Sequence, residues 1–223
     1  MSIFTQMIRE DMRPALGVTE PGAIAFAVST AKRYTEGELV EVCVSLNSGM
    51  YKNAFTCGIP HSDEVGNVYA AALGYVAGVS EKGLESLEYV TEDDNMLAKA
   101  IVEQGKVKVI LDHIGSEITI DATVKTIRDE CVVRIAGGHT DIYYIEKNGQ
   151  VLFEKPRKIQ SESETAEVHN YTLREFVSYI DGVDVKEIEF IREAFTMNME
   201  LLEEGLRSDK TTFGPMLKKN NGG

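Results

Sequence analysis

Residues 118–155 read ITIDATVKTIRDECVVRIAGGHTDIYYIEKNGQVLFEK, and this stretch decides the fold class. Ile118–Thr126, Glu130–Ala136 and Asp141–Lys155 alternate in polarity or carry β-branched runs, the period-2 pattern of half-buried strands. Asn148-Gly149 is a two-residue hairpin signal inside the last of them. Strands joined this closely must pair antiparallel. Two further strands lie upstream. Val107–His113 is one. Leu39–Leu46 is the other, with Val40, Val42, Val44 and Leu46 on one face and Glu41, Cys43 and Ser45 on the opposite face.

Helical spacing fills the rest. Ile3, Met7, Ile8 and Met12 form an amphipathic stripe ending before Pro14. Thr19-Glu20-Pro21 opens a small-residue helix that reaches Tyr34, with Thr19 or Glu20 expected as its cap. Asn47-Ser48-Gly49 is expected to turn, and helices are predicted over Met50–Cys57, Val65–Val79 and about Asp93–Gln104. Pro156–His169 is polar, with Ser161-Glu162-Ser163-Glu164 at its centre. Two closing helices, Leu173–Ile180 and Val185–Arg207, precede a tail, Lys218–Gly223, without core residues that is expected to fray. The fold class is α+β, an antiparallel sheet with packed helices and a C-terminal helical segment. Residues 1–155 read as one α+β domain with candidate substrate-binding turns, 156–171 as a linker, and 172–223 as a helical tail or docking segment.

Composition narrows the function classes. Hydrophobic residues at 43% and charged ones at 26% exclude a fibre or a disordered chain. Lys and Arg number 23 against 36 Asp and Glu, a net charge of −13 that opposes nucleic acid and anionic membranes as partners. The densest basic cluster, Lys155, Arg157 and Lys158, sits at the linker. The stretch Met1–Gln6 lacks the features of a signal peptide, and no apolar run has membrane-spanning length, so the expected setting is cytoplasmic. Cys43, Cys57 and Cys131 are too far apart to form a disulfide framework or a zinc knuckle.

Candidate chemistry gathers at three turns that feed helix starts: Gly17–Pro21, Asn47–Asn53 and Gly58–Asp63. Free backbone N–H groups at such starts suit a carboxylate, although every helix needs a beginning. Lys52 can pair with a carboxylate, and Asn53 can hydrogen-bond a polar ligand. No phosphate-cradling loop accompanies Lys52, which rules out a carbonyl-cofactor role for it. His139, at a strand end beside Gly137 and Gly138, is a candidate acid, base or ligand contact. His61 has similar standing, while His113 and His169 have less to recommend them.

The segment Leu16–Ala23 resembles the Leu-Gly-Cys-Thr-Glu-Pro signature of the L-cysteine desulfidase / serine dehydratase-like family. Tyr51–Ala54 with Gly58–Pro60, Gly138–Ile142, and Asn198-Met199 through Glu203–Leu206 are similar to later blocks of that family, in order. The resemblance implies the N-terminal half of a lyase converting L-cysteine or L-serine to pyruvate and ammonia. It also implies a [4Fe-4S] cluster held by three cysteines, with one iron position open as a Lewis acid. The family's first cluster cysteine is Val18 here, and its other ligands would lie in a C-terminal half. No metal role therefore passes to Cys43, Cys57 or Cys131, and this chain is expected to hold no cluster and to be inactive alone. Carried over by position, His139 and Lys52 are the catalytic candidates. Thr19, Glu20, Asn53, Ser48 and Gly49 are the substrate-binding ones.

The expected partners are a small amino acid of the L-cysteine or L-serine type and a C-terminal-half polypeptide, in a homo- or hetero-oligomer. Two alternatives stand beside the lyase half. One is a non-catalytic amino-acid-binding or regulatory module, favoured by Val18. The other is a scaffold that makes only oligomer contacts.

Overall fold

Alternation carries the chain into a six-stranded sheet. The structure, a computed structural model, describes residues 2–12, 17–157, 167–207 and 213–222. Pro14, Leu16, Lys158 and the Ser161–Glu164 run lie outside the described residues. The chain divides into two units, residues 15–164 and residues 1–14 with 165–223.

In the first unit the elements are α2 (Thr19–Lys32), β1 (Leu39–Asn47), α3 (Ser48–Ala54), α4 (Gly66–Val76), α5 (Glu92–Glu103), β2 (Val107–His113), β3 (Thr119–Thr126), β4 (Glu130–Ala136), β5 (Ile142–Lys147) and β6 (Gln150–Glu154). Strand order is β2-β1-β3-β4-β5-β6. Every adjacent pair is antiparallel except β1 and β2, which run parallel across the crossover that holds α3 to α5. The fold is α+β, as expected. The strand predicted over 141–155 is two strands, with Asn148 (φ 51) and Gly149 (φ 79) in left-handed conformation at the turn.

Helices cover one sheet face. Val42, Val44, Leu46, Ile120, Val124, Val133 and Ile135 point into this layer without exposure, and Cys131 joins them as a small buried hydrophobe. Ala23, Ile24, Ala25, Ala27, Val28 and Ala31 of α2 are buried as completely. Small side chains let the helices approach closely. A Cβ on Gly74 of α4 would stand 2.7 Å from the Ala25 Cα, so glycine is required there. The opposite face carries ion pairs, Lys108–Glu41 at 2.5 Å, Lys125–Glu130 at 3.0 Å and Arg134–Asp121 at 3.3 Å. Burial raises the Asp121 carboxyl above the ordinary range, and Arg134 opposes that shift.

Two local expectations change. Val40 is 44% exposed while Leu39 is buried, because a bulge between Leu39 and Glu41 shifts the register at the strand start. No turn separates β1 from α3: Asn47 ends the strand and Ser48 begins the helix.

The second unit holds α1 (Ile3–Asp11), α6 (Leu173–Gly182), α7 (Ile191–Arg207) and α8 (Phe213–Asn220), with single 3-10 turns at Glu167–Asn170 and Val185–Glu187. The sequence reading grouped α1 with residues 1–155. Here Phe4 of α1 packs against Tyr171, Phe176 and Tyr179, with centroids 4.8, 5.1 and 5.2 Å away. The single helix expected over Val185–Arg207 is broken: Asp184 caps a short 3-10 turn over Val185–Glu187, Ile188 leaves helical geometry at φ -110 and ψ 8, and α7 begins at Ile191. Of the tail from Lys218 onward, Lys218–Asn220 forms the last turn of α8.

Candidate functional site

The first turn of α2 lies where three chain segments meet. Gly17 enters at φ +122, a left-handed conformation suited to glycine, and Val18 takes the N-cap position with no side-chain cap. The expectation that Thr19 or Glu20 would cap the helix is corrected, since both stand inside it. Their side chains are therefore available for other partners. Pro21 costs nothing in this turn, where the first N–H groups have no helical acceptor. Gly22 presses on the 80–85 segment, and a Cβ there would sit 2.6 Å from the Leu84 carbonyl oxygen.

His139 reaches this turn from the β4–β5 connection. Gly137 (φ +83) donates to the Ile118 carbonyl at 3.0 Å, and the Asp141 N–H donates to the Gly138 carbonyl at 3.3 Å. A Cβ on Gly138 would meet the Asp141 carboxylate at 2.7 Å. This tight loop holds half-buried His139 with Nε2 3.3 Å from the Thr19 Oγ1. Thr19 Oγ1 also donates to Glu20 Oε2 at 3.3 Å, and Asn53 Nδ2 of α3 donates to Glu20 Oε1 at 2.8 Å.

The donor inventory sets the direction of this chain. The Thr19 hydroxyl has one proton, and the Glu20 carboxylate can only accept. With that proton on Glu20, the Thr19 oxygen accepts from Nε2–H of His139, the tautomer whose Nδ1 carries the lone pair. Asn53 fixes the other carboxylate oxygen.

Of the remaining candidates, Lys52 is exposed, one residue before Asn53, and makes none of these bonds. Ser48 is engaged elsewhere: its Oγ donates to the Gly115 carbonyl and accepts from the Gly115 N–H, both at 3.2 Å. Neighbouring Asn47, 1% exposed, donates to Gly115 O at 2.9 Å and accepts from the Thr119 N–H at 3.1 Å. Gly49 lies against this fastening, 3.2 Å from its built Cβ to Asn47 Nδ2. These residues pin the β2–β3 connection to the end of β1. His61 lies in a left-handed conformation (φ 58), and its carbonyl accepts from Asn95 at 2.9 Å. His113 pairs with Asp112 at 2.8 Å.

Sequence reading missed Cys57 as a neighbour of the cluster. Its thiol donates to the Asn53 carbonyl at 2.6 Å, and burial, then the Glu20 charge, push its pKa up. It is therefore held as a thiol at neutral pH.

The residues do not fit the iron–sulfur cluster that the resemblance implies. Val18 has no donor atom and is 53% exposed. Cys131 lies on the helix-covered face of β4, and Cys43 is on the opposite face of the sheet. Among the described residues no group of three or more His, Cys, Asp or Glu side chains is placed to hold a metal.

Known proteins give the chain a different kinship from the one its motifs suggested. A UPF0597 protein of Caldanaerobacter subterraneus subsp. tengcongensis is 37% identical over 220 residues, 97% of this chain and 52% of its own length. A UPF0597 protein of Clostridium botulinum is 31% identical over 216 residues, covering 96% and 50%. One of Actinobacillus pleuropneumoniae is 31% identical over 202 residues, covering 91% and 47%. The chain thus spans about half the length of the curated relatives it matches. No family model matches the chain. No solved structure matches it either.

The reading as half of a lyase of the L-cysteine desulfidase / serine dehydratase-like family is corrected on these findings. The relatives match essentially the whole chain under a name that states no activity, and nothing found supports lyase or iron–sulfur membership. Blocks of four to eight residues such as Thr19-Glu20-Pro21 and Gly58-Ile59-Pro60 are also what helix starts and turns require, which explains their weak discrimination.

Proposed function

We propose that Thr19, Glu20, Asn53 and His139 bind a small polar ligand carrying an ammonium or hydroxyl group beside a carboxylate, and that His139 exchanges a proton with it. The hydrogen-bonded chain itself supports this reading. It joins residues 33 and 120 positions apart in sequence at one half-buried helix start. A structural cap would need one side chain, whereas this arrangement spends four polar groups and leaves the α2 N-terminus without a side-chain cap.

Glu20 presents negative charge to an ammonium, and the uncapped N–H groups at the start of α2 favour a carboxylate. His139 Nδ1 is then the base, with Thr19 and Glu20 stabilising the imidazolium that forms. Lys52 enters only as a charge at the rim. An amino acid of the L-serine or L-cysteine type has the required groups, and a cytoplasmic setting belongs to the same proposal. Among the described residues no helix is long and apolar enough to cross a membrane.

Calorimetric titration with L-serine, L-cysteine and propionate tests the site. The amino acids should bind, and Glu20→Gln and His139→Gln should each weaken them about tenfold or more, roughly 1.4 kcal/mol per tenfold. His113→Gln, remote in role, should bind like the parent. Absence of heat with every ligand, or equal affinity in Glu20→Gln, would reject the site.

A further inference from the structure

The helical unit of residues 1–14 and 165–223 buries one side chain fully among its described residues, Thr5. Many of its large apolar side chains stay exposed. Along α7, Ile191, Phe195, Met199, Leu202 and Leu206 recur at helical spacing and so share one side. Phe195 is 68% exposed and Leu202 49%. Ile191 also lines an open groove of about 680 Å³ walled by Met7, Met12 and Phe176, so the groove and the stripe meet. Continuous apolar surface of this kind marks an interaction site.

The length of the relatives points to what covers it. Relatives that match 91–97% of this chain devote only 47–52% of their own length to the match, so each carries a further half of comparable size. We infer that the α7 stripe and the adjoining groove are the docking face for a polypeptide equivalent to the other half of these relatives. Its contacting surface is apolar.

The full chain is mixed with the half of the Caldanaerobacter relative that it does not match. Size-exclusion chromatography with light scattering should show a one-to-one complex, and α7 amides should gain protection from hydrogen exchange. Phe195→Glu and Leu202→Glu should each weaken the complex tenfold or more, while Val151→Glu on the β6 edge should leave it unchanged. Circular dichroism of the variants confirms that helix content is retained. Several outcomes would overturn the inference: no complex, a complex indifferent to Phe195→Glu, dimerisation of the chain through Phe195, or α7 amides fully protected before the partner is added.

Discussion

The sheet-bearing unit and the helical unit begin helices by the same device yet differ in what lies beneath them. Thr91 accepts from the Asp94 N–H at 3.3 Å while Asp94 accepts from the Thr91 N–H at 3.0 Å. Thr172 and Glu175 repeat this capping box at 3.4 and 2.7 Å. Behind α5 lies a layer of buried apolar side chains from α2, α4 and five strands. On α6 and α7 large apolar side chains such as Leu173, Ile180, Phe195 and Leu201 stay 60–78% exposed, and the described residues of these helices include no buried one. The starts of α5 and α6 are therefore locally alike. They do not decide whether a helix has anything to pack against.

The strongest way to break this contrast is to truncate one apolar side chain in each unit. Leu46→Ala removes a fully buried side chain and should lower stability by about 2–5 kcal/mol in urea denaturation. Phe195→Ala, starting from 68% exposure, should change it by roughly 0.5 kcal/mol or less. A loss at Phe195 equal to that at Leu46 would show that α7 is packed in the free chain, and the contrast would fail.

The matched caps sharpen the comparison at smaller scale. Thr91→Ala should cost about 1 kcal/mol in the main unfolding transition, because α5 melts with the sheet. Thr172→Ala loses a cap of the same chemistry, but its effect should appear as faster hydrogen exchange in the first turn of α6 with the main transition unmoved. A shift of that transition by Thr172→Ala would mean that the two units unfold together.

The same division governs what the sequence makes legible. Alternation over 118–155 and the Asn148-Gly149 turn specify strands whose partners are near in sequence, and β3 to β6 follow them. The exposure of Val40 depends on a bulge opposite Thr126 and Lys125, a pairing that no local pattern encodes. The packing of Phe4 on Tyr171, Phe176 and Tyr179 is equally long-range. At the candidate site, Thr19, Glu20, Asn53 and His139 were readable as polar residues beside glycine-rich turns, and the fold brings them together. Ser48 and Gly49 had the same local appearance, but their place at the end of β1 commits them to Gly115 and Asn47. Proximity of Cys57 to Glu20 could be known only once α3 was laid beside α2.

The smallest expected effect concerns pH, where the helical unit depends on a charge and the sheet unit on apolar burial. Glu187 accepts from the Thr5 hydroxyl at 2.6 Å and the Ser2 N–H at 2.9 Å, and these bonds hold its pKa below the ordinary glutamate value of 4.5. Since Thr5 donates to Glu187, the Tyr179 hydroxyl 2.8 Å away must donate to Thr5. A carboxylate with a depressed folded pKa contributes its stability in full above 4.5 and loses it as pH falls through the folded value. In the sheet unit Asp129 is likewise held low by Asn148 and the Glu36 N–H, but its ordinary value is 3.8, so its window opens at lower pH. On acidification below 4.5, amides of α1 should therefore lose exchange protection before those of β1 and β3 do. Glu187→Gln should make α1 protection low and nearly independent of pH through that window. If the variant kept the parent's pH profile, the link from Ser2 and Thr5 to Glu187 would not be what tethers α1.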